Sequence, residues 1–279
     1  MKLAVSNIAW PAEIKTQAYS LLRDFGIPGL EIAPGLFLSR GGDPFNPSPA
    51  EAEAEMSLLA EAGLTLVSMQ SLLFGAHDVA LFEGAEKLDR FMAAMRRAIG
   101  LAGRLSIPNL VFGSPGQRNI PEGMDVEQAW QFAIAQFRIL GDAAAEAGTH
   151  IAVEPNPAVY GTNFLNRVEE ADRFVRLVDH PAIVLNFDVG ALLAEGDFDR
   201  VDAITEACFE RIGHVHFSEP ALAPAPAHSE QALQVLTVLN RLGYNRWCSI
   251  EMRATQDPLT DLTSSLQRLT SAVGQLSDS

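Results

Sequence analysis

The chain has 279 residues, 48% of them apolar, with a formal net charge of −15 and a sequence pI of about 4.7. That length and apolar share can bury a large core, and the negative field argues against nucleic acid as a partner while suiting divalent cations and small neutral or cation-bridged ligands. No apolar run reaches the length of a membrane span, no signal-like core follows the N-terminus, and two cysteines, Cys208 and Cys248, make no disulfide framework, so a cytoplasmic protein with no membrane partner is expected.

In chain order, short Val-, Ile- and Leu-rich runs read as strands: LAVSNI (3–8), GLEIAP (29–34), LTLVSM (64–69), NLVFGS (109–114), HIAVEP (150–155), IVLNFD (183–188), HVHFSE (214–219) and WCSIEM (247–252). Between them lie stretches whose apolar residues recur every three or four positions, among them AEIKTQAYSLLRDFG, LDRFMAAMRRAIGLAGRL and VEQAWQFAIAQFRILGDAAAEAG, which predict helices. Gly26, Gly148 and Gly243 stand where helices should stop before the next strand. Eight strand–helix repeats predict an α/β fold, a single (β/α)8 TIM barrel over residues 1–279. The rival, a doubly wound sheet, lacks its Gly-x-Gly-x-x-Gly after the first strand, where SNIAWPAE stands. The Pro-rich segments GGDPFNPSP (41–49) and EPALAPAPAH (219–228) fit loops following strands better than a domain boundary.

Such a barrel forms its site at the C-terminal strand ends. Strands five to eight end at Glu154, Asp188, His216 and Glu251, separated by 34, 28 and 35 residues, about one repeat each time. Alternation places Ala152, Asn186, His214 and Ser249 on the same face as these four, toward the axis, and turns Val153, Phe187, Val215 and Ile250 toward the helices. Three carboxylates on one rim repel one another unless a cation neutralises them. With one imidazole they suit one divalent metal, Mn²⁺ or Mg²⁺, with Co²⁺ or Zn²⁺ as alternatives. His216 is the expected ligand and His214, one layer deeper, a supporting residue.

The segments VEPNP, NFDVG, HVHFSE and SIEMR, in that order, resemble the xylose-isomerase-like TIM-barrel superfamily of sugar isomerases, ketose 3-epimerases, inosose dehydratases and endonuclease IV. The resemblance implies that Glu154, Asp188, His216 and Glu251 bind the metal, and that Glu154 and Glu251 are the catalytic acid–base pair. The expected chemistry is proton transfer through an enediolate. The epimerases carry a histidine where this chain has Ala191 and an arginine where it has Leu222. The hydride-shifting aldose isomerases carry a lysine where it has Asn156. Six histidines are too few for the three-zinc site of endonuclease IV. Substrate contacts are expected from Trp10, Glu31, Gln70, Ser114, Arg118, Asn156 and His214, with Gly113 offering a backbone donor. Packing is the rival reading for Trp10 and a surface salt bridge for Arg118, and His77 reads as incidental. The leading expectation is a carbohydrate isomerase or epimerase. A dehydratase (lyase) and a non-catalytic binding barrel are the alternatives, and a homo-oligomer is compatible with all three.

Overall fold

In the computed structural model, which describes residues 1–38 and 42–276, the eight apolar runs become eight parallel strands: β1 (Lys2–Ser6), β2 (Gly29–Ile32), β3 (Thr65–Met69), β4 (Asn109–Phe112), β5 (His150–Val153), β6 (Ile183–Asp188), β7 (Ile212–Phe217) and β8 (Trp247–Ile250). They pair in sequence order and close on themselves through β1 and β8. The main helices outside them are α1 (Lys15–Asp24), α2 (Pro49–Ala62), α3 (Ala85–Leu105), α4 (Val126–Glu146), α5 (Val168–Val178), α6 (Val201–Cys208), α7 (Ser229–Arg241) and α8 (Pro258–Leu276). This is the expected (β/α)8 barrel. Of the two Pro-rich segments, residues 42–48 connect β2 to α2 and residues 219–228 connect β7 to α7, while Gly41 lies outside the described residues. No helix among the described residues is long and apolar enough to cross a membrane.

Three helix ends repeat one device. Gly26, Gly148 and Gly243 have positive φ, and the residues after them return their N–H to the last turn: Ile27 to Leu22 O, Thr149 to Ala144 O, Tyr244 to Leu239 O, all at 2.9 Å. Each is a Schellman ending that points the chain straight into the next strand.

The two faces of the strands do different work. Val153, Phe187, Val215 and Ile250 are fully buried in the core between strands and helices. Aromatic edges knit the same layer: Phe112 of β4 meets Phe137 of α4 at 5.2 Å, and Phe137 meets Phe174 of α5 at 5.1 Å. The axial face is polar, with Ser6, Glu31, Ser68, Asn186, His214 and Ser249 all buried. Polar groups there need partners, and most find them across the barrel, as His214 does in Ser249 and Asn186 Nδ2 in Glu154.

One irregularity aligns the site. Between β6 and β7 the register shifts from Leu185↔Ile212 to Asn186↔His214, leaving Gly213 as the extra residue. The bulge puts Asp188 opposite His216, where an unshifted ladder would put it opposite Val215. Only glycine fits, since a Cβ at 213 would stand 2.3 Å from Val184 Cγ2. Gly213→Ala should therefore lower the free energy of unfolding by about 1–3 kcal/mol, read by urea denaturation. Val184→Ala in the same chain should recover part of the loss, and additive costs for the two substitutions would show that the clash is not its source.

Candidate active site

The four strand-end residues meet at one point. Glu154 and Glu251 each lie one residue beyond their strands, but their N–H groups continue the ladder, to Phe112 O (3.0 Å) and Phe217 O (2.9 Å). That extra step carries both side chains onto the rim beside Asp188, the last residue of β6, and His216 of β7. His216 Nδ1 is 3.0 Å from Glu154 Oε1, 3.2 Å from Glu251 Oε2 and 3.8 Å from Asp188 Oδ2. One donor atom from each of the four lies within 4.8 Å of the others, and all four residues are buried.

Three of the four members are held from behind. His216 Nε2 lies 3.1 Å from the Glu31 carboxylate, which also meets His214 Nε2 at 3.2 Å and accepts from Gln70 Nε2 at 3.1 Å. Gln70 reaches on to Ser6 Oγ, and His214 to Ser249 Oγ. The Glu154 carboxylate accepts from Asn186 Nδ2 (2.8 Å) and Asn156 Nδ2 (3.1 Å). Asp188 Oδ1 caps the helical turn Val189–Glu195 through Ala191 N–H at 2.5 Å, while Asp188 Oδ2 accepts from Ser218 Oγ at 2.7 Å. The Ser218 hydroxyl is fixed in turn by Gly190 N–H at 2.9 Å.

The electrostatics show the cost of gathering these groups without a cation. Burial, then Glu154 and Glu251, push Asp188 up to about 8. Burial also raises Glu251. For His216 burial acts downward, but the carboxylates of Glu31 and Glu251 outweigh it and hold the imidazole protonated well above its ordinary value. Burial would likewise raise Glu31, yet the two imidazoles leave it below the usual carboxylate range. The cluster thus calls for positive charge, from protons or from a cation.

The donor set fits a divalent cation. Three carboxylates and an imidazole suit Mn²⁺ or Mg²⁺. His216 Nδ1 is buried without a hydrogen bond of normal geometry, while its other nitrogen is oriented by Glu31, the arrangement in which a carboxylate fixes a ligating imidazole.

A cavity of about 240 Å³ opens over the carboxylates. It is lined by Glu154, Asn156, Asp188, Ser218 and Glu251, by the apolar Pro115, Pro157 and Leu222, and by Tyr160, Glu219 and Arg253. A neighbouring cavity of about 230 Å³ shares Ser114 and Glu154 and is lined also by Gln70 and Gly113. Gly113 lets the carboxylate come close, since a Cβ there would meet Glu154 Oε2 at 2.5 Å.

Placement of the expected substrate contacts divides. Gln70, Ser114 and Asn156 line these cavities. Glu31 and His214 are buried beneath them as supports. Trp10 is a correction: it is 2% exposed, packs edge-on to Tyr19 and lines neither cavity, because the turn after β1 folds back into the core. Arg118 is a second correction. Its guanidinium is fully buried, donating to Glu154 O (2.9 Å) and Leu165 O (3.4 Å), so it braces the loop after β5 and lines neither cavity. His77 is exposed, outside both cavities. The cavity residues that the sequence reading does not assign include Ser218, Tyr160, Glu219 and Arg253. Arg253 alone had a usable signal, since it stands two residues after Glu251 and alternation puts the two on one side.

The profile of the xylose isomerase-like TIM barrel matches residues 19–272. The chain belongs to that family. No curated protein sequence matches it. Among solved structures it is similar to the apo form of 3-keto-D-glucoside 4-epimerase from E. coli (TM-score 0.78, 18% identity, 97% of this chain and 99% of that one). It is similar also to D-psicose 3-epimerase from Clostridium cellulolyticum H10 (TM-score 0.77, 16% identity, 98% and 97%), and to D-allulose 3-epimerase from Methylomonas sp. (TM-score 0.76, 18% identity, 99% and 96%). At these identities the likeness is one of fold.

Two outcomes are expected. Asp188 and His216 keep protons in the metal-free fold that the unfolded chain releases nearer 3.8 and 6.5. Between about pH 6.5 and 8 both shifts leave the native protein with more protons than the unfolded chain, so the metal-free protein should lose thermal stability as pH rises through that window; at lower pH His214, which burial holds below its ordinary value, works against them. Saturating Mn²⁺ should flatten or reverse that slope, and a slope unchanged by metal would contradict the site. Ser218→Ala should weaken Mn²⁺ binding about 10–100-fold, measured by calorimetry, with His216→Ala and Asp188→Asn losing the metal altogether.

Proposed function

We propose that the protein is a divalent-metal-dependent isomerase or epimerase of a sugar or sugar derivative, acting by proton transfer with Glu154 and Glu251 as the acid–base pair. One observation carries this reading: the two glutamates approach the same His216 nitrogen from different strands, at 3.0 and 3.2 Å, and both open onto one cavity. A molecule seated there lies between two proton-transfer groups, the arrangement needed to remove a proton and return it elsewhere. The bound cation would supply charge stabilisation for an enediolate derived from a carbonyl and its neighbouring hydroxyl.

The chain's own residues set the rest. Asn186 and Asn156 fix the Glu154 carboxylate from two sides. Asn156 occupies the position where a hydride-shifting isomerase has its lysine, so a residue that orients the base replaces one that would assist hydride movement. Burial raises Glu251, which favours it as the acid of the pair. Arg253 adds a guanidinium at the mouth, suited to oxygens on the end of the substrate far from the carboxylates. The epimerases named above, for ketoses and a keto-glucoside, are consistent with a carbohydrate that presents a carbonyl. A dehydratase would use the same proton abstraction and then expel a β-hydroxyl, so product analysis separates the two.

With Mn²⁺ and a panel of ketoses and keto-glycosides in D₂O, the wild type should exchange a carbon-bound proton for deuterium and form an isomer of unchanged composition. Glu154→Gln and Glu251→Gln should each lower kcat about 10²–10⁴-fold, while Arg253→Ala should mainly raise KM. A metal-loaded protein that exchanges no proton with any of them would reduce the barrel to a binding module.

A further inference from the structure

The opposite end of the barrel holds a second cavity, of about 350 Å³. It lies where strands begin: Lys2 opens β1, His150 opens β5, Trp247 opens β8, and Arg246 precedes Trp247. None of its lining residues is an Asp or Glu, although the chain has 35 acidic residues against 20 Lys and Arg. Among the described residues neither Lys2 nor Arg246 has a carboxylate within ion-pair distance. Lys2 Nζ instead sits 5.4 Å from the centre of the Trp247 ring, and Arg246 Nη1 donates to Ile212 O at 3.2 Å. Among the described residues no other hydrogen bond is made by that guanidinium, although Arg246 also borders a neighbouring hollow lined by Asp179 and Glu210. At the inner end stands His214, 1% exposed, whose Nε2 is engaged by Ser249 and Glu31.

Basic groups that gather around a carboxylate-free hollow, in a chain with carboxylates to spare, concentrate positive potential there. The charges of Lys2 and Arg246 match the charge of about −1.5 to −2 on a phosphate monoester near pH 7. The volume falls within the range of about 300–1,000 Å³ typical of small-molecule sites, with room for a carbon skeleton beside the Trp247 ring.

We propose that this cavity is a second ligand site, for a small phosphate monoester held by Lys2 and Arg246. The proposal does not rest on the function proposed above, and the cavity touches the metal centre only through the back of His214.

The probe is glycerol 3-phosphate, titrated by calorimetry into the full-length, metal-free protein at about 0.15 M salt, an ionic strength at which exposed charges are screened over about 8 Å. Saturable one-site binding is expected, weakened about tenfold or more by Arg246→Ala and by Lys2→Ala, and unchanged by Arg253→Ala at the other mouth. Arg246→Glu should abolish it with the circular dichroism spectrum intact, and Lys2→Ala gives the reading should an Arg246 variant misfold. Three results overturn the proposal: no saturation at about 10 mM, an affinity for glycerol equal to that for its phosphate, or weakening by Arg253→Ala without weakening by Arg246→Ala, which would put the anion in the other cavity.

Discussion

The burial of three carboxylates around one imidazole is the constraint on which the rest of this protein depends. A charge moved from water into a barrel interior costs several kcal/mol unless it is neutralised, and here Glu154, Asp188 and Glu251 share one small volume with His216. Without a cation, the arrangement persists by holding protons on Asp188 and His216. The same four donors that are awkward as a proton trap are well suited to a divalent ion, which would replace those protons with fixed positive charge. Stability and metal binding are thus two readings of one electrostatic problem.

That problem dictates the layer beneath. An imidazole free to rotate would not keep Nδ1 among the carboxylates, so Glu31 fixes the other ring nitrogen. Glu31 is itself a fully buried carboxylate and needs partners, which β3 and β7 supply through Gln70 and His214. Those reach Ser6 and Ser249, carrying the chain of contacts back to β1 and β8. The polar axis is therefore a continuous brace from one side of the barrel to the other. Its groups are high-stakes, because removing one partner leaves another buried and unpaired.

Much of this was legible before any coordinates. The strand order followed from eight apolar runs, and the rim residues followed from their spacing by about one repeat, because a parallel barrel delivers each strand end to the same plane. Alternation placed Asn186, His214 and Ser249 on the axial face, where they are found. What alternation could not give is geometry in loops. Arg118 follows β4 just as a substrate-binding residue would, and nothing in its neighbours shows that its guanidinium turns inward onto Glu154 O and Leu165 O. Trp10 failed for the same reason. Ser218 was missed because its value lies in a bond to a residue 30 positions away, Asp188, and the bulge at Gly213 was invisible because it depends on how β6 and β7 are registered.

The loops over the site are tied to one another around its mouth. Ala221 and Leu222 both adopt positive φ, costly for residues with side chains. The strained turn is held by Tyr160, whose hydroxyl accepts from Ala221 N–H at 2.7 Å, and by Arg253, whose N–H bonds Leu222 O at 2.9 Å. Loops after β5, β7 and β8 are thereby tied together around the mouth. The result sets Leu222 into the lining where an arginine is expected and brings the Arg253 guanidinium to the same cavity from the next strand. Arg253 is thus the arginine that lines the cavity, and the ties between the loops set its place.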